Sequence, residues 1–98
     1  MKRRYEAVRR ALIDADIEGL LEMGAPEDEY DVEARMIAQR IADRNTRADS
    51  TPLSCDAVSA VVRDVWIEMF GPYDVEGLAR RAAGFEAVAR RIVEAEPR

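Results

Sequence analysis

The chain offers few residues able to do chemistry, and their densest grouping is acidic. Gly24-Ala25-Pro26-Glu27-Asp28-Glu29-Tyr30-Asp31 runs on into Val32-Glu33, so five carboxylates fall between positions 27 and 33. Five acids would supply enough oxygen ligands for a hard cation. They are contiguous, however, and no glycine stands where a calcium loop makes its sharp turn, so no metal is expected. Acids ahead of a helix also favour its N-terminus through the macrodipole. Beyond that local role, Glu27, Asp28, Glu29, Tyr30 and Asp31 form the segment best fitted to recognise a partner, their carboxylates meeting arginines on another protein.

The bases are grouped as well. Arg3, Arg4, Arg9 and Arg10 form one patch, and Arg80, Arg81, Arg90 and Arg91 form another near the C-terminal end. A guanidinium grips phosphate or carboxylate bidentately, so an anion or a nucleic acid is the alternative ligand. Against it, Glu6, Glu76, Glu86 and Glu94 lie among these bases at distances that allow intrahelical pairs. No nucleic-acid reader motif or aromatic stacking platform accompanies them.

Catalytic chemistry has little to draw on. The chain has no histidine, so the usual general base near neutral pH and the commonest metal ligand are both missing. Its one cysteine, Cys55, can form neither an internal disulfide nor a Cys-rich zinc site. Asp56 beside it opposes thiolate formation, and Ser54 and Ser59 lack an activating base. Asp14 and Asp16 are paired carboxylates with nothing to mark a cleft around them. The expectation is a protein that is no enzyme and takes no cofactor.

The elements that must position these groups follow from composition and periodicity. The 98 residues carry 20 acids, 15 bases and a net charge of −5, which disfavours non-specific nucleic-acid binding. Fourteen of the bases are arginine and 16 residues are alanine, a habit of GC-rich, bacterial genomes. Val, Ile, Leu and Phe number only 22, so one lean domain over residues 1–98 is expected, with self-association or a partner to complement it. No apolar run reaches the roughly 20 residues of a membrane span, and the charges after Met1 break any signal peptide. A cytoplasmic protein with a reduced thiol is expected.

Four segments show helical period and none sustains the alternation of a strand. The first runs from about Arg3 to Ala15 on Tyr5, Val8 and Leu12. Asp16 then caps an extra helical turn near 17–22, which Gly24 closes at C′. Asp31 is read as the N-cap of a second helix ending near Arg44, with Val32, Met36, Ile37, Ala38 and Ile41 inward, and 45–50 as loop. Thr51-Pro52 signals the start of a third, on Val58, Val61, Val62, Val65 and Met69, which Gly71-Pro72 stops. Asp74 caps the last. Its stripe holds Val75, Leu78, Ala79, Ala82, Phe85, Ala89, Ile92 and Val93, and Gly84 faces solvent on the far side. Tyr5, Tyr30, Tyr73 and Trp66 are too scattered for a cofactor box and read as core or interface aromatics.

Asp16-Ile17-Glu18-Gly19-Leu20, followed by Glu29-Tyr30-Asp31 and by a helix ending near Phe70-Gly71, resembles the small bacterial helical proteins grouped as YugE-like. Their pattern is an Asp-Pro-x-Gly-Leu turn followed by Glu-Tyr-Asp, with Ile17 standing here in place of the proline. The resemblance implies a compact all-α domain and no established activity. Taken together, the expectation is an all-α chain of four main helices that works as a non-enzymatic interaction or regulatory module. It would bind a protein partner, or pair as a homodimer, through apolar helix faces and the acidic segment.

Overall fold

A computed structural model of the chain describes residues 2–47 and 53–95. Within them lie α1 (Lys2–Ala15), α2 (Asp31–Arg47), α3 (Cys55–Phe70) and α4 (Val75–Ala95), with a short 3-10 helix over Glu27–Tyr30 leading directly into α2. No strand occurs among the described residues, and the architecture is the all-α one expected. Each of α1 and α3 packs on both α2 and α4, so the four helices close a ring around one core. Val8, Leu12, Ile37, Ile41, Val62 and Trp66 are fully buried at its centre. Trp66 is the hub of the aromatic packing, with ring centroids 5.7 Å from Tyr30, 5.0 Å from Phe70 and 6.3 Å from Phe85.

Helix boundaries follow local chemistry, with some shifts from expectation. Ser54, not Thr51, caps α3: its hydroxyl accepts the Ala57 N–H at 3.1 Å. Thr51 and Pro52 lie outside the described residues. Asp74 caps α4 as expected, accepting the Gly77 N–H at 2.7 Å. Asp31 does not cap α2, because the 3-10 helix already supplies its first turn. That carboxylate instead takes Arg9 of α1 in an ion pair of 2.9 Å. The C-terminal end of α2 passes through Asn45 to Arg47, so that much of the expected loop is helix.

The rotation of three helices about their axes departs from the apolar stripes. Val32, Met69 and Val75, all expected inside, are 53%, 41% and 84% exposed. In α2 the core face is Glu33, Ala34, Ile37, Ala38 and Ile41, continued by Tyr30 at the end of the 3-10 helix. In α4 it is Gly77, Phe85, Val88, Ala89 and Ile92, so Val75, Ala79 and Ala82 are left outside. Each stripe is wider than the sector that two neighbouring helices can cover, and polar anchors decide which part turns inward. Gly84 does not break α4, nor does it face open solvent: a Cβ there would stand 3.0 Å from Ile17 Cγ1. Its missing side chain lets α4 approach the chain that follows α1.

Candidate functional site

Between α1 and the 3-10 helix the chain reverses through backbone that favours glycine or aspartate. Asp16 has φ 43°, Gly19 φ 71° and Gly24 φ 100°. Aspartate tolerates the left-handed region better than most residues. Its carboxylate then reaches across the loop, accepting the Leu21 N–H at 3.1 Å, the Glu22 N–H at 3.0 Å and the Tyr30 hydroxyl at 2.7 Å. The loop ends in a Schellman closure at Gly24, with Ala25 N–H on the Leu20 carbonyl and Gly24 N–H on the Leu21 carbonyl, both 3.0 Å. The extra turn expected near 17–22 is therefore a set of hydrogen-bonded turns rather than a helix. Gly24 terminates it as expected.

This loop positions Glu18, the most heavily bonded carboxylate among the described residues. It accepts Arg81 Nε at 2.6 Å and Nη2 at 3.1 Å, Trp66 Nε1 at 2.8 Å and the Tyr73 hydroxyl at 3.2 Å. Arg81 also donates to the Gly77 carbonyl at 3.0 Å and lies 4.2 Å from the centroid of the Tyr73 ring. The Arg81 hydrogen bond, opposed by burial and helped by Trp66, holds the Glu18 carboxyl below its ordinary value. Burial likewise works against Asp16, yet Tyr30 and the backbone N–H groups keep it below its own. Tyr30 is pushed up, by burial first and then by its bond to the Asp16 carboxylate. Every acceptor here is occupied by a donor of the same chain. The network locks the loop to α3 and α4.

The acidic segment is split between exposed and engaged residues. Glu27, Asp28 and Glu29 project from the 3-10 helix and are exposed. Tyr30 is fully buried and anchors the segment, so its ring is not a contact for a partner. Asp31 is engaged by Arg9. Glu33 turns inward and is 4% exposed, with no hydrogen-bond partner for Oε1. Burial, and then the charges of Glu29 and Asp31, push the Glu33 carboxyl up. Among the described residues no three acids or thiols converge as they would to hold a metal ion.

The arginine patches are likewise divided by pairing. Arg9 is bound to Asp31, Arg81 to Glu18, and Arg91 to Asp14 at 2.7 Å. The same contacts separate Asp14 from Asp16, whose carboxylates point to different partners. Cys55 is half-buried and packs against the core, its sulfur 4.0 Å from the Glu86 carbonyl oxygen.

A groove of about 450 Å³ runs between the outer faces of α3 and α4. Asp56, Ser59, Ala60 and Arg63 form its α3 wall, and Val75, Leu78, Ala79, Ala82, Phe85 and Glu86 its α4 wall. Its α4 wall takes in the exposed part of the apolar stripe, Val75, Ala79 and Ala82, and rests on Leu78 and Phe85, which also pack into the core. The stripe was legible in the sequence; its division between core and groove was not. Glu18 carried no sequence signal, because its partners Trp66, Tyr73 and Arg81 stand 48, 55 and 63 positions away. No protein-family model, curated protein or solved structure matches the chain.

Proposed function

We propose that this chain is a non-enzymatic interaction module that binds protein along the α3–α4 groove. The observation that carries the reading is Val75, a large aliphatic side chain 84% exposed, beside exposed Ala79 and Ala82 on one helix face. Removing such area from water contributes about 25 cal/mol per Å², and association is the ordinary way for a protein to do so. Glu27, Asp28 and Glu29 supply a separate acidic ridge that would orient a basic partner. The pairing of Arg9, Arg81 and Arg91 with acids of the same chain weighs against the alternative ligand, a nucleic acid or other anion. No helix among the described residues is long and apolar enough to cross a membrane, and we place the protein in the cytoplasm with Cys55 reduced. The YugE-like resemblance is in keeping with the helical fold and adds no activity.

A photo-crosslinking residue at Ala79, compared with one at exposed Asp43 on α2, tests the reading. Irradiation of the pure protein and of the protein in native extract should give protein adducts from position 79 and few from position 43. Absence of any adduct from position 79 in both samples refutes it.

A further inference from the structure

We infer that the groove's occupant is a second copy of this chain, docked across a two-fold axis. The inference rests on the groove being a protein-binding surface and adds what fills it. Its basis is the order of charges along the groove. The chain turns back at Gly71–Asp74, and Cys55 Sγ lies 4.0 Å from the Glu86 carbonyl, so α4 returns antiparallel along α3. Asp56 and Glu86 therefore stand together at one end. Arg63 stands two turns further along α3, about 10 Å away at 1.5 Å per residue. The groove thus has an acidic end and a basic end, with Ser59, Ala60 and Ala82 between them and Leu78 and Ala79 level with Arg63.

Such a surface complements itself in one orientation. A two-fold axis passing near the Ser59–Ala60 midpoint sets Arg63 of each copy against Asp56 and Glu86 of the other. A parallel arrangement would set Arg63 against Arg63. Isologous pairing of this kind uses one patch twice and closes at the dimer. The small residues at the centre allow close approach of the helices, and Val75 and Leu78 then lose their contact with water. Arg63 is free to exchange partners: its contact with Asp64 is 3.5 Å long, with both side chains more than half exposed at 52% and 56%.

Sedimentation equilibrium on the full chain, with charge-reversed variants, tests the inference. The native protein should form dimers that weaken as salt is raised, since the rim pairs are open to screening. Arg63→Glu alone and Asp56→Arg/Glu86→Arg together should each raise the dimer Kd about tenfold or more, because like charges then face each other. Mixed in equal amounts, the two variants should recover the dimer: each Arg63→Glu side then meets two arginines, and the other side keeps the native pairs. That recovery also shows both variants to be folded. A native chain that stays monomeric overturns the inference, as does a native dimer whose variants fail to recover on mixing. If the chain is monomeric and position 79 still cross-links to a different protein, the groove reading stands and only the identity of its occupant falls.

Discussion

Replacing Glu18 by alanine removes the acceptor shared by Trp66, Tyr73 and Arg81, and the structure says which of the three loses most. Trp66 is fully buried, so its indole N–H, 2.8 Å from Glu18 Oε2, has no water to turn to. Arg81 is less exposed to loss. Its side chain is 21% accessible, keeps the Gly77 carbonyl at 3.0 Å and stays stacked on Tyr73. Losing one partner of a buried ion pair costs about 3–5 kcal/mol, and a hydrogen bond to a charged group contributes about 1.5–3 kcal/mol. Discounting Arg81 for its access to solvent leaves about 3 kcal/mol, a large part of the 5–15 kcal/mol typical of a small domain. Urea unfolding followed by the fluorescence of the sole tryptophan, Trp66, reads this as a midpoint lowered by roughly 2 M at a slope of 1–2 kcal/mol per M. Glu18→Gln should lose nearly as much, since its amide group turns two donors toward donors. The folded carboxyl lies below its ordinary value near 4.5, so its stabilisation is complete above that pH. It is lost as pH falls through the folded value, and the gap between native and variant should close on acidification. A loss below about 1 kcal/mol at pH 7, or a gap independent of pH, would refute the claim that this network locks the loop to the helices.

Glu33 should behave in the opposite sense. Its folded carboxyl is raised, so ionisation opposes folding and native stability falls as pH rises from the ordinary value through the folded one. Glu33→Gln should therefore stabilise by about 1 kcal/mol at pH 7 and by little near pH 4, as denaturation midpoints at the two values will read; destabilisation at pH 7 would contradict the account. Gly24→Ala should cost about 1–2 kcal/mol, since φ 100° is strained for any residue with a Cβ although the space there is open; thermal melting checks it, and an unchanged midpoint would exclude the Schellman closure.

The elements were readable from sequence where their determinants are local. The period of Val58, Val62 and Val65, the cap at Asp74 and the glycine at C′ each act over a few residues, and the structure has all three. The rotation of each helix was not readable. Val32 and Val75 are as apolar as the residues that took their place inside, and only contacts made across the fold choose between them. Tyr30 bonded to Asp16 turns one face of α2 inward; Arg81 bonded to Glu18 does the same for α4. Glu33 illustrates the same limit, since as one acid among five it carried no mark of being the buried one. The acidic segment stood out by composition. The groove depends on which part of the α4 stripe stays uncovered, Val75, Ala79 and Ala82, and that is set by contacts across the fold.

The central claim is that protein occupies this groove, and the accessibility of Val75 and Leu78 tests it most directly. Hydroxyl-radical footprinting should be run on the dilute pure chain, on the concentrated chain and on the chain in native extract. Occupation predicts strong labelling of both residues in the dilute sample and marked protection in at least one of the others, with Val32 on α2 labelled equally throughout. Equal labelling of Val75 and Leu78 under all three conditions would contradict the account.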